Sequence, residues 1–325
     1  MALKSHLGEW IAKFLEFRAA QGLGVRSHLA NLAKLDAYCS RCNAGHDGLS
    51  NGAVSGWLLE MAGQCTKSSL YGMKISVRQL AKYMRAFGEA AYLLPCRLNP
   101  RPRSSFSPYM PTDGELASLF SEIDRASEEK SLFAVPGTES VLFRLAYSCG
   151  LRPGEGLSAS TGDLDLVAGS LLVRESKGHR DRAVVFSEPM ATLMCKYMDA
   201  RRKVRCKGTL IFPRSDGGRV GVAAASRFFK RCWLNARRTT GHGAAPRLRP
   251  YDLRHMFASS VLQRWNDRGE NLYALLPVLR AYMGHAHMSS TLYYVHLLPD
   301  RMRKSPGVDW QKLNKLVPEA LTWAK

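Results

Sequence analysis

Between Pro95 and Pro111 the chain runs PCRLNPRPRSSFSPYMP, with five prolines, three arginines and three serines. Proline fixes its own φ, lacks an amide donor and pushes the preceding residue out of the helical region. Neither a helix nor a central strand crosses such a stretch. The chain is therefore expected to fold as an N-terminal domain over residues 1–94, a linker over 95–111 and a larger domain over 112–325. A length of 325 residues accommodates two cores.

Before the linker, apolar residues recur at helical spacing in four stripes: Trp10, Phe14 and Phe17; Leu29, Leu32, Leu35 and Tyr38; Val54, Trp57, Leu58 and Met61; Val77, Leu80, Tyr83 and Met84. Gly22, Gly24, Asn43, Gly45, Gly48 and Gly63 punctuate them, and Ser50 and Thr66 stand where N-caps belong. A four-helix bundle follows, with its apolar faces used up by its own core. Function is left to basic faces, for which Lys67, Lys74, Arg78, Lys82 and Arg85 are the candidates. They are expected to meet phosphates rather than bases, because phosphate contacts are the more numerous.

Charge agrees with that reading. The formal net charge is +20 and the isoelectric point about 9.9. The first hundred residues carry 12 basic and 6 acidic side chains and the remainder 35 and 21, so both parts attract a polyanion, nucleic acid first. No apolar run reaches the roughly 18 residues that span a bilayer. The opening MALKSHLGEWIAKFLEF is amphipathic and has no signal-peptide core. A cytoplasmic protein without a membrane partner is expected. Eight cysteines are scattered along the chain, and reduced thiols fit that compartment. Cys39 and Cys42 form a CxxC with His46 beyond, but no second ligand pair follows at finger-like spacing.

After the linker, Thr112 and Glu115 form a capping box ahead of Leu116, Leu119, Phe120 and Ile123. Glu139 to Cys149 predicts a second helix, ended by Gly150. Leu171 to Arg174 and Arg182 to Phe186 predict the two strands of a hairpin with Lys177 near its turn. Helices are expected over Pro189–Arg202, Val222–Arg238, Tyr251–Arg264, Leu272–Gly284 and Ser289–Val295. The fold class is mainly α with a small antiparallel β-sheet (α+β).

Four segments of this domain carry chemistry: SCGLRPGE (Ser148 to Glu155), ESKGHRDR (Glu175 to Arg182), RPYDLRHMFAS (Arg249 to Ser259) and YMGHAHMSSTLYYVH (Tyr282 to His296). Metal-free cleavage of a phosphodiester needs a nucleophile, neutralisation of charge on the non-bridging oxygens and an acid for the leaving 5′ oxygen. Arginine suits the second task, since its planar fork donates two hydrogen bonds to a phosphate. In their order the four segments resemble the catalytic domain of the tyrosine recombinases, the integrase family of site-specific DNA recombinases.

The resemblance implies a role for each matching residue. Arg152 and Arg254 match the pair that clamps the scissile phosphate, Lys177 the hairpin lysine that protonates the leaving oxygen, and His285 the histidine that hydrogen-bonds the phosphate. Tyr294 stands at the family's spacing for the nucleophile, whose attack makes a 3′-phosphotyrosyl bond. Tyr293 is turned about 100° from it on a helix and is read as packing. A phenol is mostly protonated at neutral pH, so Arg152, Arg254 and Lys177 are expected to favour the phenolate. Tyr251 stands where the family usually has histidine, and it cannot take a proton near pH 7 as imidazole does. It is expected to orient the phosphate. His255 follows Arg254 and is turned about 100° from it. Glu155 and Asp252 match acidic residues that buttress the arginines.

By the same resemblance the partners are double-stranded DNA recombination sites, clamped between the two domains, and a homo-tetramer that exchanges strands through a Holliday junction. Accessory DNA-bending proteins are admitted as further partners, and no metal or nucleotide cofactor is implied. The tail carries an apolar stripe, Trp310, Leu313, Leu316 and Val317, which docks either on a neighbouring protomer or on its own domain. Three rivals remain: a type IB topoisomerase, which uses similar chemistry as a monomer; a catalytically weak DNA-binding or architectural protein; and a zinc-dependent nuclease, which would need a metal cluster.

Overall fold

The computed structural model describes residues 3–42, 48–95, 108–176, 180–239 and 246–295; most of the expected linker, Lys177 and the tail beyond Val295 lie outside them. The chain divides into two compact units, residues 1–106 and 107–325. Among the described residues no helix is long and apolar enough to cross a membrane, and no group of three His, Cys, Asp or Glu side chains is placed to hold a metal ion.

The first unit contains α1 (Gly8–Ala20), α2 (Arg26–Arg41), α3 (Asn51–Ala62) and α4 (Lys67–Ala86). Both expected caps are in place: Ser50 Oγ accepts from the Ala53 amide at 3.2 Å and Thr66 Oγ1 from the Ser69 amide at 3.2 Å. Ile11, Phe14, Leu32, Leu35, Val54, Trp57, Val77, Leu80 and Met84 form the core. Phe17 and Leu29, expected in the apolar stripes, are exposed instead, with Phe17 resting on the Tyr83 ring. A helical stripe is wider than the face a neighbouring helix covers, so its margin stays in solvent.

The second unit begins with α5 (Asp113–Glu129), whose capping box joins Thr112 and Glu115 in both directions. It continues through α6 (Thr138–Cys149), the short α7 (Pro153–Ser158), strands β1 (Leu164–Asp165), β2 (Ser170–Ser176) and β3 (Arg180–Val185), and helices α8 (Glu188–Lys203), α9 (Val222–Thr239), α10 (Pro250–Asp267), α11 (Leu272–Met283) and α12 (Ser289–Val295). The fold class is mainly α with one three-stranded antiparallel sheet, in the order β1-β2-β3. The expected hairpin is β2 and β3. Strand β1 was not expected, because two residues are too few for alternation to be read.

The register of the hairpin pairs Leu171 with Val184 and Val173 with Arg182. Directly paired residues share a face, and Leu171, Val173 and Val184 are buried in the main core. Arg182 therefore points inward with them. Helix α6 packs against α10 and ends at Gly150, whose φ of 63° is the left-handed conformation. A Cβ there would lie 2.5 Å from the Phe257 ring and 3.1 Å from the Met283 sulfur. Left-handed strain and overpacking together predict that Gly150→Ala costs about 2–4 kcal/mol, read as a fall in the urea midpoint. An unchanged midpoint would mean that α6 and α10 separate without cost.

Candidate active site

Gly150 turns the chain so that Arg152 becomes the N-cap of α7, and Glu155 at the third helical position reaches back to the Arg152 amide at 2.8 Å. The same carboxylate takes Arg152 Nη1 at 2.5 Å and, from β3, Arg182 Nη1 at 3.0 Å and Nη2 at 2.7 Å. Arg254 Nη1 stands 4.0 Å away. Burial pushes the Glu155 pKa up, but the hydrogen bonds and charge of Arg182, with those of Arg152, override it and hold the group at about 2. Three guanidiniums and one carboxylate leave an excess of positive charge here.

Arg254 is 0% exposed. A buried guanidinium needs acceptors, and it has them in the carbonyls that end α6 and α11. Nη1 donates to Gly150 O at 2.7 Å, and Nη2 donates to Met283 O. Nη2 is also 3.0 Å from His285 Nε2. Arg152 Nη2 donates to Gly284 O at 3.2 Å. Gly284, at φ 62°, closes α11 in the left-handed conformation, and Arg280 secures the next turn by donating to His285 O at 3.2 Å and Ala286 O at 2.8 Å. That places His285 beside both arginines.

Burial first, then the charges of Arg254 and Arg152, lower the His285 pKa to about 3. The ring is neutral. A guanidinium cannot accept a hydrogen bond, so Nε2 is the acceptor and the proton sits on Nδ1, which is 2.9 Å from Thr291 Oγ1. Tyr294, on α12, is 2% exposed and stacks on His285 at 5.9 Å with 19° between planes. Its pKa is pushed up to about 12, because burial outweighs Arg254 and Arg152. Arg254 and Arg152 favour the phenolate, as expected, but burial is the larger effect and the phenol stays protonated at neutral pH. Of the three cations invoked, Lys177 lies outside the described residues.

Arg152, Arg254, His285 and Tyr294 are therefore brought together, while Tyr251 stands at the rim. It is 36% exposed and its ring meets that of His255 edge-on at 5.1 Å. Tyr293 is half-buried and packs on His255 at 5.8 Å. Asp252, expected to buttress the clamping arginines, instead takes the Arg249 amide at 2.7 Å and its guanidinium at 2.7 and 3.2 Å. A carboxylate at the third position of α10 reaches back to the cap, whereas Arg254 lies about 200° further round the helix. Beside the site a groove of about 880 Å³ is lined by Pro153, Arg227, Lys230, Trp233, Arg249 and Tyr251 among others.

Two partners escaped the sequence reading. Arg182 enters above only as the first residue of an expected strand, although its even spacing from the inward Val184 on β3 was a usable signal. His255 was set aside because it diverges from Arg254, yet it lies one turn beyond Tyr251 and its ring is 5.4 Å from that of Tyr294. In the first unit Lys67 and Lys82 are exposed and Lys74 is half-buried. Arg78 donates to Leu94 O and Arg85 Nε to Ala91 O at 2.7 Å, so both hold the segment that leaves the bundle.

A mainly helical domain that gathers two arginines, a histidine and a tyrosine around one basic site has the architecture of a phosphodiester strand-transfer enzyme. The sequence profile of the phage integrase family matches residues 115–301, more than half of the chain. The chain belongs to the phage integrase family and is a tyrosine-type DNA recombinase. It is 29% identical over 297 residues to a putative integrase/recombinase, y4rE, of Sinorhizobium fredii, covering 90% of this chain and 93% of that one. It is 32% identical over 188 residues to the tyrosine recombinase XerC of Chromobacterium violaceum, covering 58% and 55%. Among solved structures, XerH bound to palindromic difH substrate in a post-cleavage complex aligns with a TM-score of 0.64 at 19% identity, over 89% of this chain and 80% of that one. A lambda integrase dimer bound to a COC′ core site aligns with a TM-score of 0.60 at 14% identity, over 88% and 94%. At such identities the structural likeness bears on the fold.

Proposed function

We propose that the chain is a site-specific recombinase that cleaves and rejoins duplex DNA through a 3′-phosphotyrosyl intermediate on Tyr294, exchanging strands through a Holliday junction in a tetramer. The observation that carries this reading is the packing of Tyr294 against His285 and Arg254, inside a cluster whose guanidiniums outnumber its carboxylate. In the attack the Tyr294 phenol gives its proton to a base as Oη bonds to phosphorus, the bond from phosphorus to the 5′ oxygen breaks, and that oxygen takes a proton from Lys177. A dianionic pentacoordinate phosphorus is stabilised by donors already aimed at it. Arg254 is held by two carbonyls, and Arg152 by Glu155 and Gly284, so little reorganisation is needed. The arriving phosphate adds negative charge beside His285, which raises its pKa and lets Nε2 become a donor.

The duplex backbone would follow the groove lined by Arg227, Lys230 and Arg249, and the first unit would supply further phosphate contacts through Lys67, Lys74, Lys82 and the remaining donors of Arg78 and Arg85. The tail would dock on a neighbouring protomer, accessory DNA-bending proteins remain admissible partners, and the working compartment would be the cytoplasm. Suicide duplexes tiled across the DNA flanking the gene test the reaction. The expected product is an SDS-stable, protease-sensitive adduct with a free 5′ hydroxyl, formed in the presence of chelator. Binding to the correct duplex without an adduct would favour an architectural protein; relaxation of supercoils by a monomer would favour a topoisomerase.

A further inference from the structure

His255 is a buried side chain that this mechanism does not use. It is 8% exposed, and its Nδ1 has no hydrogen-bond partner among the described residues. An unpaired buried polar atom is costly, so its presence calls for a reason. On one side Nε2 faces the buried Asp252, with Oδ1 3.9 Å away. On the other the ring lies 5.4 Å from Tyr294, at 56°, and 5.8 Å from Tyr293, while Tyr251 closes a third side at 5.1 Å. The imidazole thus has the Asp252 carboxylate and the Tyr294 ring as neighbours.

We infer that His255 serves as the proton acceptor for Tyr294, oriented by Asp252, and so supplies the imidazole that is lacking at position 251. The inference rests on the strand-transfer reading of this site. A carboxylate 3.9 Å from Nε2 favours the proton on that nitrogen by its charge and leaves the Nδ1 lone pair free to accept one. As the bond from Oη to phosphorus forms, the phenol proton moves to Nδ1; as the 5′ oxygen departs it takes the Lys177 proton, and religation reverses both transfers. The groups facing the imidazole are Arg249 at the N-cap of α10, Tyr251, Asp252 and Arg254 on α10, Tyr293 and Tyr294 on α12, and His285 before α12. Burial first, with Arg249 and Arg254 overriding the opposing Asp252, holds the His255 pKa at about 4. The ring is therefore neutral throughout the neutral range, and the negative charge of an arriving phosphate would raise its basicity for the transfer.

The test is the rate of adduct formation on suicide duplexes from pH 6 to 9, with Tyr294→Phe as the blank and thermal unfolding measured alongside. His255→Phe keeps a ring among the three tyrosines and removes both nitrogens; His255→Gln keeps a polar group toward Asp252 and nothing at Nδ1. Wild type is expected to show a flat profile. Both variants are expected to lose about a hundredfold at pH 7 and to gain rate as pH rises, because hydroxide must then remove the proton. The loss should persist on a 5′-bridging phosphorothiolate duplex, whose sulfur leaves without an acid, which separates it from a defect at Lys177. Wild-type rate with a flat profile in either folded variant overturns the inference and leaves the recombinase reading standing. No adduct from wild type on any duplex defeats that reading itself, and the inference with it.

Discussion

Tyr294→Phe is expected to abolish the covalent DNA adduct while Tyr293→Phe keeps it within about tenfold of wild type. The two neighbours differ in what surrounds them. Tyr294 is buried against the flat face of His285 and beside Arg254, the guanidinium proposed to clamp the phosphate. Tyr293 turns its ring to His255 and is only half-buried. Phenylalanine preserves the ring packing at either position, and loss of one hydroxyl is worth about 1 kcal/mol of stability. A lost adduct in a folded Tyr294→Phe protein therefore reports chemistry rather than collapse. Gel analysis of SDS-treated mixtures with suicide duplexes reads the outcome. An adduct that survives in Tyr294→Phe and disappears in Tyr293→Phe would exchange the two assignments.

The parts of this fold that were legible in the sequence are the ones set by local physics. Ser50, Thr66 and the Thr112–Glu115 box mark helix starts because a cap satisfies amides within one turn. Gly150 and Gly284 mark helix ends because few other residues take φ near 60°. The grouping of Arg152, Arg254, His285 and Tyr294 was legible only through the resemblance, since the bonds that assemble it span 132 residues from Arg152 to Gly284 and 104 from Arg254 to Gly150. What escaped was the balance of forces at the site. A positive cluster was expected to favour the phenolate, but the same folding that collects the arginines buries Tyr294, and desolvation is the larger effect. The inward direction of Arg182 follows from its spacing of two from Val184 on β3, but the residue across from it, Val173, is set only by the register of the hairpin.

Glu155→Gln is expected to destabilise the second unit by about 3–5 kcal/mol at neutral pH, the range for breaking a buried ion pair. The substitution keeps the shape and removes the charge that Arg152 and Arg182 share. Arg182 has a side chain only 7% exposed and would face an amide nitrogen, which cannot accept. The pH dependence separates this cause from simple mispacking. The folded pKa of about 2 lies below the unfolded value of roughly 4.3. The carboxylate therefore contributes stability that is full above the unfolded value and is lost as pH falls from about 4.3 through about 2, amounting to roughly 3 kcal/mol. Urea unfolding at pH 7, 5 and 3 should show the gap between wild type and Glu155→Gln constant at the two higher values and narrowed at pH 3. A gap of equal size at all three would assign the loss to packing. A narrowed gap would place the hold on Arg152 and Arg182 in the charge of Glu155, and the proposed clamp on the phosphate would then depend on that carboxylate.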